Sequence, residues 1–265
     1  MKDKILSRLP AGHPWRANLH YYPSLPSTND LAKTMARQGA PEGTVIIAGH
    51  QTGGRGRMGR RFHSPEGAGI YMSVILRPCC RPEELMHLTC AAAEAMCDAV
   101  QASHAVRPMI KWINDLVCSG KKLGGILTEL VFAPGGTLEA AVVGIGINCL
   151  QKTGDFPEEL RGIACSLSMV TGNEADPAAL AAAMVEALHT MSTGLLSDRK
   201  MLLSRYRKDC LTIGQEVQIL RSDSCVSARA LDVDDWGALV VLLPDGTTET
   251  VNSGEVSVRG LYGYV

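Results

Sequence analysis

An excess of charge of either sign is missing: the 265 residues set 26 Lys and Arg against 27 Asp and Glu, for a formal net charge of −1. The broad basic footprint of a general nucleic-acid binder is therefore absent, and any anion site must be local. Long apolar runs are missing too, since no segment approaches the roughly 18 uninterrupted apolar residues of a membrane span. The opening MKDKILSRLPAGHPW places charges and two prolines where a signal peptide needs an apolar stretch, so the expectation is a cytoplasmic protein. Nine cysteines are present, but the number is odd and no C-x-x-C pair occurs. That excludes the disulfide framework of a small secreted domain and favours reduced, mostly buried thiols. The adjacent Cys79 and Cys80 read as small core or loop residues in preference to a metal or redox pair. Solenoid repeats and low-complexity segments are absent, and 46% hydrophobic content supports one large core or a main domain with a small companion.

What is present divides near residue 212. LHYYPSL (19–25) reads as a strand, and Ser27 followed by Asp30 has the form of a helix N-cap with a carboxylate in the first turn, the helix reaching about Arg37. TVIIAGHQ (44–51) and IYMSVILR (70–77) read as strands, and PEELMHLTCAAAEAMCDAVQ (82–101) as one long helix opened by Pro82. MIKW (109–112) starts another sheet segment, with SGKK (119–122) and APGG (133–136) as hairpin turns around KLGGILTELVF and LEAAVVGIGINC. Short turns between neighbouring strands predict a mixed, largely antiparallel sheet backed by helices, an α+β domain over 1–211. Helices are predicted over 177–196 and near 199–209. From 212 to 265 five short β runs, EVQIL, VSARALDV, ALVVLL, TTETV and EVSVR, predict a small SH3-like barrel.

Four stretches carry the candidate chemistry. GGRGRMGRRF (53–62) sets Arg55, Arg57, Arg60 and Arg61 among four glycines. Arginine supplies cationic forks and glycine a backbone that can approach a ligand, so something anionic belongs there. STND (27–30) alone is a helix cap. KWINDLVCSGKKLGGI (111–126) surrounds a tight hairpin with Lys111, Asn114, Asp115, Lys121 and Lys122, which alone fits solvated surface as well as function. GIGIN (144–148) is a strand with two glycines and a terminal Asn, and it lacks the helix and third glycine of a dinucleotide fingerprint.

Together and in this order, STND, GHQTGGRGRMGRRFHSP, KWINDLVCSGKKLGGILTE and VVGIGIN resemble the biotin protein ligases, from about Leu19 to the final β domain. The resemblance implies a class II synthetase-like catalytic domain that uses ATP and Mg2+ to convert biotin to biotinyl-5'-AMP. It then passes biotin to a lysine of a biotin carboxyl carrier protein. It implies Lys122 as the principal catalytic cation, with Arg57 beside it, and Asp115 at the reaction centre and associated with magnesium. Gly54, Arg55, Gly56 and Arg57 form the biotin and phosphate loop, with Arg60 near the nucleotide phosphates; Lys111, Asn114 and Asn148 hold the nucleotide. Ser27, Thr28, Asn29 and Gln51 match the biotin-binding positions, with Gly124 and Gly125 leaving room for its bicycle. Two positions depart from the family pattern: Ile113 stands where proline is common, and Phe62-His63 replaces a tryptophan-bearing pattern, which bears on loop stiffness. Fewer than 20 residues precede the first catalytic strand, so direct DNA binding is not expected, while open sheet edges permit a homodimer. Lipoate or octanoate attachment and a non-catalytic biotin or nucleotide sensor remain as rival readings.

Overall fold

The computed structural model describes residues 1–221 and 224–252, and the backbone of 257–260. After a short helix α1 (Lys2–Leu6), strand β1 (Leu19–Tyr22) leads to helix α2 (Thr28–Arg37). Ser27 caps α2 by accepting from the Asp30 amide at 3.4 Å. Strands β2 (Thr44–Ala48) and β3 (Gly69–Leu76) flank the arginine loop. The predicted helix at 82–101 is two pieces: a 3-10 turn over Pro82–Leu85, then α3 (Leu88–His104). Glu84 bonds back to the Arg81 amide at 2.9 Å and closes the first turn as a separate unit.

Strands β4 (Met109–Lys111), β5 (Asp115–Cys118), β6 (Lys121–Phe132) and β7 (Leu138–Asn148) follow, then α4 (Leu167–Thr171), α5 (Pro177–Gly194) and α6 (Arg199–Asp209). The seven strands form one sheet in the order β1-β2-β3-β7-β6-β5-β4. Only β1 and β2 are parallel; every other pairing is antiparallel. The β5–β6 turn uses Ser119 at φ 49° and Gly120 at φ 72°, the left-handed pair that matches strand twist in a tight hairpin.

Alternation along β3 and β7 separates the two faces of the sheet. Ile70, Met72, Val74, Val143, Ile145 and Ile147 enter a core shared with α3 and α5. Ile75, Val142, Ala140 and Val131 pack on the other face against Ala32 and Ala36 of α2. This helix covers only part of its face. Farther along β7 the same face presents Gly144, Gly146 and Asn148, and the functional site lies over them.

Beyond residue 212, β8 (Glu216–Leu220), β9 (Cys225–Val233), β10 (Leu239–Leu242), β11 (Thr248–Val251) and β12 (Ser257–Gly260) form a five-stranded antiparallel sheet in the order β11-β10-β9-β8-β12. The five predicted β runs are thus found. Strands β8 to β11 form a meander and β12 returns to pair with β8, while among the described residues no ladder joins β11 to β12. The start of EVSVR, at 255–256, and the terminal 261–265 lie outside the described residues.

Candidate active site

A cavity of about 400 Å³ opens over the glycine half of β7, within the usual size of a small-molecule site. Its floor depends on missing side chains. A Cβ on Gly146 would lie 2.5 Å from the Phe62 ring, and one on Gly144 would lie 1.9 Å from Asn29 Oδ1. Gly144 thus lets the start of α2 reach β7, and Gly146 lets Phe62 close one wall. The departure at Phe62 therefore leaves an aromatic wall in place.

A register shift places the cations. Opposite β5, Asp115 pairs with Gly125 and Leu116 with Gly124, but Val117 pairs with Lys122, so β6 carries one extra residue. Such a bulge reverses the alternation of faces, and Lys122 shares the site face with Gly125 and Asp115. Lys122 Nζ lies 2.6 Å from Asp115 Oδ1.

The neighbouring segment is equally fixed. Asn114 donates from Nδ2 to the Ile126 carbonyl at 2.9 Å, and its Oδ1 accepts from Arg57 Nη1 at 3.1 Å. Burial lowers the pKa of Arg57, against the opposing charge of Asp115. In the loop, Met58 (φ 55°) and Gly59 (φ 73°) turn the chain so that the Gly56 amide meets the Arg60 carbonyl at 2.7 Å.

At the other end Gln51 Oε1 accepts from the Thr28 amide at 2.9 Å and its hydroxyl at 3.1 Å. Ser73 donates to Asn29 Oδ1 at 2.6 Å, and Asn29 Nδ2 donates to Glu129 at 2.8 Å. These bonds, with a third from Nδ2 to the Leu127 carbonyl at 3.2 Å, fix Asn29 at the start of α2. Burial raises the pKa of Glu129, but hydrogen bonds from Lys33 and Asn29, with the charges of Lys33 and Arg55, outweigh it and hold the carboxyl below its ordinary value.

Of the residues singled out in the sequence, Ser27, Thr28, Asn29, Gln51, Arg55, Gly56, Arg57, Arg60, Lys111, Asn114, Asp115, Lys122, Gly125 and Asn148 line the cavity. Gly54 and Gly124 do not. A Cβ on Gly54 would meet the Phe62 carbonyl at 2.5 Å, and one on Gly124 the Gly146 carbonyl at 2.4 Å, so both serve close backbone approach. Arg61 also lines the cavity, is exposed, and donates to the Thr52 carbonyl at 3.4 Å. Sequence reading missed Ser73 and Glu129 as site builders, and it noted Phe62, Gly144 and Gly146 without giving them a part in shaping the cavity. Ser73 carried a signal, as a polar residue within the apolar run of β3, and Glu129 a weaker one, as a carboxylate in the apolar half of β6.

The lining holds six cations, Arg55, Arg57, Arg60, Arg61, Lys111 and Lys122, and one carboxylate, Asp115. A chain of net charge −1 therefore gathers an excess of five positive charges around one cavity. Ile126, Leu127 and Trp112 add an apolar part to the lining. Sheet, helix-flanked anion pocket and small β domain together define an α+β protein with a site for an anionic ligand and an added C-terminal module.

The comparisons with known proteins are more specific. Residues 21–148 match the biotin/lipoate A/B protein ligase family, and 212–259 the biotin protein ligase C-terminal domain. The bifunctional ligase/repressor BirA of Bacillus subtilis is 36% identical over 86% of this chain and 70% of its own. The biotin–[acetyl-CoA-carboxylase] ligase of Mycobacterium tuberculosis is 33% identical over 97% of this chain and 93% of its own. Among solved structures, the Aquifex aeolicus biotin protein ligase in complex with biotin and ATP aligns with a TM-score of 0.79 at 27% identity, covering 92% of this chain and 99% of the other. The chain belongs to the biotin protein ligase family.

Proposed function

We propose that this pocket carries out the two-step biotin ligase reaction. A carboxylate oxygen of biotin attacks the α-phosphorus of ATP, forming biotinyl-5'-AMP and releasing pyrophosphate. The ε-amine of a carrier lysine then attacks the acyl carbon, forming the amide; AMP leaves with the electron pair of the broken anhydride bond, and the lysine proton passes to solvent. The observation that carries the reading is the charge distribution: a reaction joining a carboxylate to a triphosphate needs cations concentrated where the two anions meet, and six surround this cavity.

In this reading Lys122 is the cation at the meeting point, which its turn toward Asp115 and Gly125 at the β6 bulge supports. Arg57, braced by Asn114, adds a second charge from the loop side. Arg55, Gly56 and Arg60 extend the positive lining toward the polyphosphate. The apolar part of the lining and the Gly125 gap suit the biotin bicycle, with Ser27, Thr28 and Gln51 offering short polar groups at its polar end. Closure of the arginine loop excludes water from the mixed anhydride.

Magnesium fits Asp115, the single carboxylate of the lining, since that ion is commonly held by one or two carboxylates and substrate phosphates. When bound it neutralises phosphate charge. The acceptor is a biotin carboxyl carrier protein or domain. Direct DNA binding is not part of the proposal, because the excess positive charge is gathered in the pocket. A homodimer through the open β1 edge of the sheet and a cytoplasmic location, in keeping with nine free thiols, belong to it. Among the described residues no helix is long and apolar enough to cross a membrane.

The test is acid-dependent pyrophosphate release from ATP by the purified chain, with biotin, lipoate and octanoate compared and a carrier domain added afterwards. Biotin-specific release followed by carrier labelling supports the reading. Release driven by lipoate would move the chain to lipoyl attachment, and tight biotin binding without pyrophosphate would make it a sensor.

A further inference from the structure

The segment bearing Lys111, Asn114 and Asp115 is held both by its own sheet and from outside it. On one side Asn114 is tied to β6, its carbonyl accepting from the Ile126 amide at 2.9 Å. The other side is held by residues that come much later in the chain. The Leu211 amide donates to the Ile110 carbonyl at 3.0 Å, and Tyr206 Oη donates to the Ile113 carbonyl at 3.2 Å. Trp112 is held twice. Its amide donates to Thr212 Oγ1 at 2.9 Å, and its indole Nε1 donates to the Gly237 carbonyl at 3.0 Å. All of these Trp112 contacts are buried, and Trp112 is also part of the cavity wall.

Gly237 belongs to the turn between β9 and β10, and that turn is built to aim its carbonyl. Asp234 Oδ1 accepts from the Trp236 amide at 2.8 Å and from the Ala238 amide at 2.9 Å. Arg199 lies over the Trp236 ring at 3.8 Å and clamps the turn from outside. Gly237 has φ +90°, and a Cβ there would stand 2.9 Å from Cys90 Sγ. The position therefore excludes side chains on both conformational and steric grounds.

We propose that Thr212 and the Asp234–Gly237 turn are positioning elements of the nucleotide half of the site, acting through Trp112. This gives the C-terminal domain a role in building the pocket. The inference rests on the ligase reading for its assignment of Lys111 and Asn114 to ATP. Physically, Trp112 links two parts of the chain: Lys111 and Asn114 to either side of it face the cavity, while both of its own donors are satisfied by groups from residue 212 onward. A buried N–H that loses its acceptor must move or leave its hydrogen bond unmade, and moving Trp112 displaces Lys111 and Asn114 with it.

The experiment uses the full chain and compares wild type with Thr212→Ser, Thr212→Val and Gly237→Ala. Biotin-dependent pyrophosphate release is measured with KM taken separately for ATP and for biotin, and ATP affinity and melting temperature are recorded for each protein. Thr212→Val and Gly237→Ala are expected to raise KM for ATP about fivefold to tenfold, the factor one lost hydrogen bond represents, with KM for biotin within about twofold. Thr212→Ser, which keeps the hydroxyl, is expected to restore wild-type behaviour. The proposal is overturned if Thr212→Val leaves ATP affinity unchanged, if both KM values rise together with falling melting temperature, or if Thr212→Ser is as impaired as Thr212→Val. Absence of pyrophosphate from wild type itself would sink the ligase reading, and the ATP affinities of the same four proteins would still decide whether the brace exists.

Discussion

Arg55 and Glu129 are joined by a 2.6 Å ion pair that ties the arginine loop to the middle of β6. Glu129 also accepts from Asn29 and Lys33, both at 2.8 Å, so one carboxylate joins the loop, the start of α2 and the sheet. Asp30 takes the other side of the Arg55 guanidinium at 2.7 Å. Exposed pairs contribute little, but Glu129 is mostly shielded and shares three donors. Its role is to set where the loop begins.

Glu129→Gln is therefore expected to raise KM for biotin and ATP several-fold while lowering stability by only about 1 kcal/mol. The pH dependence has a fixed sign. The folded pKa of Glu129 lies below its ordinary 4.5, so its contribution is present in full above that value and is lost as pH falls through the folded pKa. Melting temperature measured between pH 7 and pH 3 should fall more steeply in wild type than in Glu129→Gln; parallel curves would refute the linkage.

Lys122→Ala should lower the rate of pyrophosphate release by about a hundredfold to a thousandfold, the usual loss when one preorganised charge-stabilising group is removed. Biotin affinity should change much less. Asp115→Asn leaves Lys122 without its 2.6 Å partner and tests the carboxylate separately: if Asp115 supports magnesium, the variant needs more of the ion for half-maximal rate, whereas a purely structural Asp115 leaves the magnesium curve where it was.

Arg57→Ala removes a half-buried cation and its 3.1 Å bond to Asn114. Loss of biotinyl-5'-AMP from the protein should become faster, by about tenfold or more, because a hydrogen bond to a charged group is worth about 1.5–3 kcal/mol. Arg57→Lys keeps the charge without the fork and should recover only part of the effect. Single-turnover retention of labelled adenylate measures this directly, and identical retention by wild type and Arg57→Ala would remove Arg57 from the site.

The sequence made the chemistry more legible than the geometry. Arg57 stood in a loop whose arginines and glycines already spoke of an anion, Asp115, Lys122 and Asn148 stood in stretches to which the family resemblance gave roles, and the β runs were plain from alternation and turn residues. The β6 bulge that turns Lys122 onto the site face was not legible, since a bulge depends on pairing with a distant strand. The break after Leu85 was also hidden, because Pro82 and the following acidic residues fit the start of a long helix equally well. Gly144 and Gly146 were visible as glycines, but their reason, the approach of Asn29 and Phe62, exists only across the fold.

That reason makes Gly146 a sharp test of the cavity. In register, Gly146 lies between Gly125 of β6 and Tyr71 of β3, under the Phe62 ring. The methyl of Gly146→Ala would lie 2.5 to 2.9 Å from three Phe62 ring atoms, so the ring must move into the cavity or the strand must shift. Overpacking of this kind costs about 1–3 kcal/mol, and the biotin side of the pocket should lose about tenfold or more in affinity. Phe62→Leu shortens the wall and should relieve the clash. The Gly146→Ala, Phe62→Leu double variant is then expected to bind biotin better than Gly146→Ala alone, since contacting residues are not additive. Calorimetric titration of the four proteins with biotin measures the coupling, and strict additivity would mean that Phe62 does not form the wall over Gly146.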